Sequence, residues 1–241
     1  MKSLAALALL LASAVAQAQA ITVSGTYSSG SGDFSGGTAG TYQSNVSHSH
    51  QVMGDSYTFN LRGDVTAQMT GTADRFDFQA SAYYTLTTGA APVQLSDITV
   101  YYNGKEVLSG GSGAIFSAQN FYRATLYKEG FGPDFYFGAF LPERVAQGVF
   151  IEDRQITLPD TILAANTAYT LYMDVVPTHR ISSYPAVSPM LGYALEFGGT
   201  VAPWLDGVTV TFTAQPVPEP ASLLMLGAGV AALLARRRRA G

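Results

Sequence analysis

The chain has 241 residues, contains no cysteine and carries a formal net charge of −4 at pH 7. This length accommodates one domain with terminal segments, and the lack of cysteine excludes disulfides, thiolate metal sites and a cysteine nucleophile. The acidic balance is the opposite of the basic footprint of nucleic-acid-binding domains. We therefore expect a single globular domain without a nucleic-acid partner.

The N-terminus has the three parts of a secretory signal peptide. Met1 and Lys2 are a short basic region, residues 4–15 are apolar, and Ala18-Gln19-Ala20 has the small residues of a cleavage site. Residues 1–20 are predicted to be removed during export by signal peptidase, which would recognise Ala18 and Ala20. Ile21 would then be the first residue of the mature chain.

Residues 21–56 are rich in glycine and serine, above all between Gly30 and Gly40. Such a composition is typical of loops, so this stretch is predicted to hold the first strand and a long loop. His48 and His50 would share one face if they lay on a strand, and two imidazoles could begin a metal site. The sequence marks no third ligand, and a solvated loop is the alternative.

Residues 57–215 alternate apolar and polar side chains, which is the pattern of strands with one buried face. No part of this region shows a long helical period. Many short strands joined by Gly- and Pro-rich turns predict an all-β fold with a single antiparallel β-sandwich, immunoglobulin-like or jelly-roll-like, and a barrel is the less favoured alternative. Its predicted interior contains Phe59, Phe78, Leu86, Val100, Leu126, Leu171, Met173, Val210 and Phe212.

Three short motifs refine this prediction. Asn103-Gly104 separates two apolar runs and predicts a hairpin, because both positions of a type I′ turn need positive φ. Residues 62–64, Arg-Gly-Asp, are interpreted as a chance match at a strand-to-strand turn. Residues 163–169 resemble the tyrosine corner of immunoglobulin-like and fibronectin-type sandwiches, with Asn166 in a left-handed conformation and the Tyr169 hydroxyl bonded to the backbone.

The sequence marks no catalytic constellation. A Gly-x-Ser-x-Gly elbow is absent, and the scattered acidic residues nominate no glycosidase pair. We expect no enzymatic activity, with an exported hydrolase as the remaining alternative. We also expect no cofactor, with calcium left open, since none of the acidic residues follows a known calcium loop. The acidic residues considered for calcium are Asp33, Asp55, Asp64, Glu152 and Asp153.

Aromatic side chains are the candidates for sugar binding, because their faces stack on sugar rings. Trp204 lies in a turn-rich stretch, and Tyr83 and Tyr101 lie opposite apolar stripes. Packing across strands is the alternative role for each of them. An exposed row of these rings would favour binding, whereas burial of all of them would favour a structural role.

The C-terminus, residues 216–241, has a distinctive order of parts. Pro218, Glu219 and Pro220 precede an apolar stretch, residues 221–235, which is followed by four arginines. A helix over this stretch would be about 22 Å long, short for a hydrocarbon core of about 30 Å, and the cationic cluster would stay on the cytoplasmic side. The arginines are Arg236, Arg237, Arg238 and Arg239.

These parts resemble the PEP-CTERM protein-sorting signal of Gram-negative, exopolysaccharide-producing bacteria. The resemblance implies a transmembrane sorting helix, Pro-Glu-Pro as the recognition site of an inner-membrane exosortase, and the arginines as a cytoplasmic stop. The chain would be anchored transiently in the inner membrane and then reach the cell surface or extracellular matrix. Its release or re-anchoring is left open.

Without both terminal segments, eight basic and sixteen acidic residues remain, a net charge near −8. The function expected is that of a non-enzymatic surface or matrix protein associated with exopolysaccharide or biofilm. The alternative is a carbohydrate-binding module for a matrix polysaccharide. Expected partners are signal peptidase, the exosortase and an exopolysaccharide.

Overall fold

The computed structural model describes residues 19–35, 39–70, 75–109, 114–140, 148–183, 193–197 and 207–217. Within these ranges the chain forms twelve strands and no helix. The strands are β1 (Ile21–Ser35), β2 (Ala39–Met53), β3 (Ser56–Thr70), β4 (Arg75–Thr88), β5 (Val93–Ser109), β6 (Ala114–Tyr127), β7 (Pro133–Phe140), β8 (Gly148–Thr157), β9 (Thr161–Leu163), β10 (Ala168–Ser183), β11 (Tyr193–Phe197) and β12 (Gly207–Pro216).

The strands form two antiparallel sheets. Sheet A has the order β1-β4-β10-β6-β7. In sheet B, β2 pairs with β3, while β12 and β11 lie end to end between β3 and β5, and β8 and β9 pair with the other side of β5. The predicted all-β class is confirmed, whereas the finer choice between immunoglobulin-like and jelly-roll-like connectivity stays a prediction.

The hydrophobic core lies between the two sheets. Every one of the nine residues predicted for the interior is at most 1% exposed, because strand alternation directs every second side chain to the same face. Aromatic rings from the two sheets meet there: the centroids of Phe59 and Tyr84 are 4.9 Å apart, as are those of Tyr102 and Tyr122. These contacts make the two sheets a sandwich.

The tyrosine corner is present as predicted. Asn166 has φ of 48°, in the left-handed region, and the Tyr169 hydroxyl accepts a hydrogen bond from the backbone N–H of Ala164 at 2.8 Å. Leu163 and Tyr169 are both buried. A local motif of seven residues thus fixes the start of β10, which is the central strand of sheet A.

The predicted hairpin at Asn103-Gly104 is wrong. Both residues lie inside β5, which continues to Ser109. Asn103 pairs with Asp153 of β8 on one side and with Gly207 of β12 on the other. Ladders on both sides of β5 hold the backbone extended and override the local turn preference.

The loop predicted between Gly30 and Gly40 is also corrected, because the described residues of this stretch, 30–35 and 39–40, belong to β1 and β2. Gly30 and Gly32 lie on β1 where β2 approaches closely. A Cβ at Gly30 would collide with Val46 Cγ2, and one at Gly32 would lie 3.0 Å from the Tyr42 ring. These glycines make room for a neighbouring strand rather than for a turn.

The Arg-Gly-Asp tripeptide lies within β3 rather than at a turn. Gly63 faces inward, and a Cβ there would lie 2.6 Å from the Cβ of Ala80 on β4. Arg62 and Asp64 point outward, with 3.3 Å between Arg62 Nε and Asp64 Oδ2. The glycine therefore serves the close approach of the two sheets.

Several predicted segments lie outside the described residues. They are the signal peptide up to Ala18, Trp204, the Pro-Glu-Pro tripeptide, the apolar stretch 221–235 and the four arginines. Among the residues that are described, no helix has the length and hydropathy required to cross a membrane. The processing residues and the membrane helix stay predictions from the sequence.

Candidate functional site

The outer face of sheet A carries a line of tyrosines at right angles to the strands. Tyr27 of β1 pairs with Tyr83 of β4, which pairs with Tyr172 of β10. The line continues through Thr125 of β6 to Tyr136 of β7. We call these four tyrosines the tyrosine row.

The row is open to solvent along its length. Tyr27 is 60% exposed, Tyr83 37% and Tyr136 55%, while Tyr172 is half-buried. The ring centroids of Tyr27 and Tyr83 are 6.3 Å apart, and those of Tyr83 and Tyr172 are 4.7 Å apart. Since neighbouring strands lie 4.7–4.9 Å apart, the row extends about 19 Å from β1 to β7.

Cross-strand packing explains only part of this arrangement. Aromatic pairs stabilise a sheet, and the contact between Tyr83 and Tyr172 is such a pair. Tyr27 and Tyr136, at the two ends of the row, keep more than half of their surface in solvent. Exposed apolar residues are normal when scattered, but here they share one line with two further rings.

An ion pair lies beside the row. Asp174 is fully buried and accepts hydrogen bonds from Arg123 Nε at 3.0 Å and from the Tyr172 hydroxyl at 2.8 Å. Arg123 also donates to the Tyr172 hydroxyl oxygen at 3.1 Å, and its guanidinium carbon lies 4.6 Å from the centre of that ring. Gln79 donates to the same hydroxyl at 3.0 Å. This network holds the central ring of the row in one orientation.

The electrostatics of the network keep the Tyr172 hydroxyl protonated near neutral pH. Burial raises the pKa of Tyr172 above its usual value, and the adjacent Asp174 carboxylate raises it further. The hydrogen bonds to Asp174 raise the pKa of the Arg123 guanidinium, so Arg123 stays charged and paired. A ligand at Tyr172 therefore meets a neutral ring and a cation already neutralised by its partner.

A second pair of rings lies next to the ion pair. Phe121 and Phe140 have centroids 4.4 Å apart, and Phe140 is 69% exposed. The Arg123 guanidinium carbon lies 5.8 Å from the centre of the Phe121 ring. Aromatic surface thus continues over β6 and β7 beyond the row itself.

The predicted histidine pair lies on strand β2, not in a loop. His48 Nδ1 is 2.8 Å from Ser28 Oγ, and the rings of His48 and His50 contact the ring of Tyr84 edge-on, with centroids 5.7 and 6.2 Å away. Within the described part of the chain, no three His, Asp or Glu side chains are grouped so as to hold a metal ion. The five acidic residues considered for calcium form no such group there.

A shallow polar cavity of about 460 Å³ opens between β2, β3 and β12. Asn60 donates to Ser49 Oγ at 3.2 Å and accepts from the Thr209 hydroxyl at 2.9 Å. Arg62, another lining residue, lies beside Asp64, whose pKa is raised chiefly by burial. The side chains of Ser49 and Thr209 both hydrogen-bond to Asn60, so these polar groups are used within the protein rather than directed at a ligand.

The structure separates the aromatic residues proposed from the sequence. Tyr83 is a member of the row, whereas Tyr101 is half-buried on sheet B, where it pairs with Thr209. Burial is the largest cause that raises the pKa of Tyr101, and the hydrogen bond and charge of Asp153 raise it further. Sequence reasoning missed Tyr27, Tyr136 and Tyr172 as site residues, because only the register of five strands brings them into one line.

Comparison with protein families gives a match at the C-terminus. Residues 216–239 match the family model described as PEP-CTERM protein-sorting motif. The chain carries a PEP-CTERM sorting motif. The PEP-CTERM motif implies export and membrane-anchored processing by an exosortase, as the resemblance of Pro218, Glu219, Pro220 and the arginines predicts.

No curated protein matches the chain. Solved structures give weak similarities. One is the family 11 carbohydrate-binding module from Clostridium thermocellum, in complex with a β-1,3-1,4-mixed-linked tetrasaccharide. It has 13% identity and a TM-score of 0.20, and the match covers 81% of this chain and 91% of that one. The enzymatically active domain of bacteriophage CBA120 tailspike protein 4 has 12% identity and a TM-score of 0.19, over 71% of this chain, which spans only 19% of that chain. A structure of infectious bursal disease virus Gx strain has 9% identity and a TM-score of 0.17, over 92% of this chain and 50% of that one. Scores this low establish no common fold and no ligand.

Proposed function

We propose that the chain is an exported, non-enzymatic protein of the cell surface or extracellular matrix that holds a neutral polysaccharide on the tyrosine row. The PEP-CTERM motif accounts for its delivery. The observation that carries the binding function is the alignment of four tyrosines across one solvent-facing sheet surface. No cofactor is assigned to this function.

The shape of the row suits a polymer. Tyrosine combines an apolar ring face with a hydroxyl, so it can stack on the C–H face of a sugar ring and hydrogen-bond to its hydroxyls. Four rings along about 19 Å of open sheet offer successive stacking positions, whereas a small ligand would need a concave pocket. An extended sugar chain lying across the strands meets the rings one after another.

The charge of the protein favours a neutral chain over an acidic one. Without its terminal segments the protein has a net charge near −8, which repels polyanions at low ionic strength. Arg123, beside the row, is matched by Asp174. Stacking on neutral rings needs no charge, and it can provide the affinity without a counter-ion.

The test is affinity electrophoresis of the exported, processed protein. Gels would contain hydroxyethylcellulose, galactomannan, alginate or exopolysaccharide purified from the native host. We expect retardation by at least one neutral polymer or by the host material, and little by alginate. Tyr83→Ala should weaken this binding by more than about 1 kcal/mol, the size of an interface hot spot.

Matched variants separate binding from folding. Tyr27→Phe keeps the ring at an exposed edge position and should retain binding, whereas Tyr27→Ala should lose it. Tyr101→Ala removes a tyrosine from the outer face of sheet B and should leave binding unchanged. Equal binding by Tyr83→Ala, Tyr27→Ala and the unaltered protein would show that the row only covers the sheet, as a structural element would.

A further inference from the structure

Ala20 and Ile21, near the start of the described chain, are built into the sandwich rather than trailing from it. Ala20 is 8% exposed and Ile21 is completely buried. Ile21 begins β1 and pairs with Thr88 of β4. The position at which the mature chain begins therefore has direct consequences for the core.

The peptide group between Ala20 and Ile21 is hydrogen-bonded on both sides. The Ala20 carbonyl accepts from the backbone N–H of Gly89 at 3.3 Å. The Ile21 N–H donates to the Tyr57 hydroxyl oxygen at 3.2 Å, and that hydroxyl donates to the Ile21 carbonyl at 2.9 Å. An intact bond between Ala20 and Ile21 satisfies all these groups.

Cleavage after Ala20, as the sequence alone predicts, would disturb this arrangement. The Ile21 nitrogen would become an α-ammonium group, which is charged at neutral pH, at a position without exposed surface. Burying a charge without a charged partner is costly, and burial already raises the pKa of the neighbouring Tyr57 hydroxyl. The Gly89 N–H would also lose its acceptor. The charge of Asp55, which reaches Tyr57, would offset part of this cost.

The sequence contains an equivalent cleavage site two residues earlier. Ala16-Gln17-Ala18 has the same small-x-small pattern as Ala18-Gln19-Ala20. Cleavage after Ala18 places the new charge on Gln19, which is exposed, and leaves Ala20 and Ile21 in place. We propose that signal peptidase cuts between Ala18 and Gln19, so that the mature chain begins at Gln19.

An N-terminal glutamine has a characteristic chemistry. Its α-amine can attack the side-chain amide carbon, forming a C–N bond within a five-membered lactam while ammonia leaves. This cyclisation needs no other reactant, and it removes the terminal charge. The mature protein then begins with Gln19 or with its lactam, and both forms retain Ala20.

Mass spectrometry of the N-terminal peptide of the exported protein tests the proposal. The expected peptide begins at Gln19, intact or lighter by one ammonia. A peptide that begins at Ile21, or at any residue other than Gln19, would overturn the proposal. This readout does not depend on sugar binding.

Two variants make the test specific. Ala16→Tyr disrupts the Ala16/Ala18 pair but keeps the Ala18/Ala20 pair, so it should abolish the Gln19 terminus and leave the precursor or a chain that begins at Ile21. Ser13→Tyr, outside both small-residue pairs, should leave the Gln19 terminus unchanged. Persistence of the Gln19 terminus in Ala16→Tyr would show that Ala16 is not read as part of the site.

Discussion

Arg123 of β6 and Asp174 of β10 face each other across neighbouring strands and form a two-point ion pair on the outer side of sheet A. The Asp174 side chain is fully buried, whereas Arg123 keeps about a third of its side-chain surface in solvent. The pair joins the two strands, and both of its members hydrogen-bond to the Tyr172 hydroxyl, which fixes the Tyr172 ring. Stability and the geometry of the tyrosine row are coupled at this point.

Removing the buried partner should be the more damaging change. Asp174→Ala leaves Arg123 unpaired and takes away the acceptor of the Tyr172 hydroxyl. We expect the free energy of unfolding to fall by about 2–3 kcal/mol. This loss is below the range for fully buried pairs, because Arg123 is partly exposed. The double variant Asp174→Ala with Arg123→Met should lose less stability than the sum of the losses in the two single variants. Urea unfolding measures all three variants, and strict additivity would contradict the coupling.

The strand faces could be predicted from the sequence because alternation is a local signal of burial. Phe78 and Leu86 belong to one apolar stripe, and both are buried. The tyrosine corner could be predicted for the same reason, since Ala164, Asn166 and Tyr169 lie within six residues of one another.

The predictions that were wrong concern positions whose structure depends on contacts between residues far apart in the sequence. Asn103-Gly104 has a strong local turn preference, but β8 and β12 pair with it from both sides. The glycines of β1 are typical of a loop in composition. At Gly30, however, a glycine is needed because Val46 occupies the space that a side chain would fill. The tyrosine row has no local signature, because its members are far apart in the chain and meet only through strand register.

The close approach of the two sheets at Gly63 gives a second prediction. Gly63→Ala places a Cβ 2.6 Å from the Cβ of Ala80, so the sheets must separate locally, at a cost of about 1–3 kcal/mol. Adding Ala80→Gly should recover much of this loss. Gly89→Ala is the matched control, because no atom lies within 4 Å of its added Cβ. Thermal unfolding that ranks Gly63→Ala with Gly89→Ala would refute the close approach.

Buried tyrosines predict a loss of stability in alkali. Burial raises the pKa of Tyr84 far above its usual value, and its hydroxyl donates to the carbonyls of Ser49 at 2.9 Å and Asn60 at 2.6 Å. Because the folded pKa exceeds the unfolded one, the folded chain binds more protons above about pH 10, and the free energy of unfolding falls as the pH rises past that value. Below about pH 10, the contribution of Tyr84 to the free energy of unfolding is fully present.

Tyr84→Phe tests this linkage. The variant should lose about 1 kcal/mol near neutral pH, because the two carbonyls lose a donor, but its stability should fall less steeply above about pH 10 than that of the unaltered protein. Urea unfolding across this range compares the two slopes. Parallel curves would mean that Tyr84 does not contribute to the alkaline loss.

The PEP-CTERM motif predicts removal of the C-terminal segment. The exported protein should lack Arg236–Arg239, because the resemblance places exosortase cleavage near Glu219. Glu219→Ala should leave the tail attached and the protein in the membrane fraction, whereas Gln215→Ala, just before the motif and exposed, should be processed normally. Intact mass distinguishes these forms, and a mature protein that retains the four arginines would contradict exosortase processing.

Affinity for sugar should grow with chain length until the ligand covers the tyrosine row. Soluble cello-oligosaccharides from the disaccharide to the hexasaccharide provide the series for calorimetry, because the row is about 19 Å long and a short sugar can engage only some of its rings. Tyr136→Ala removes an end ring, so it should weaken binding of the hexasaccharide while leaving the disaccharide unaffected. Raising NaCl to about 0.5 M should change neither affinity, since stacking on neutral rings is not screened by salt. Unchanged binding at every length would place the binding away from Tyr136, whereas equal losses at every length would mean that even the disaccharide needs this ring. A steep salt dependence would show that charge, not stacking, is the basis of recognition.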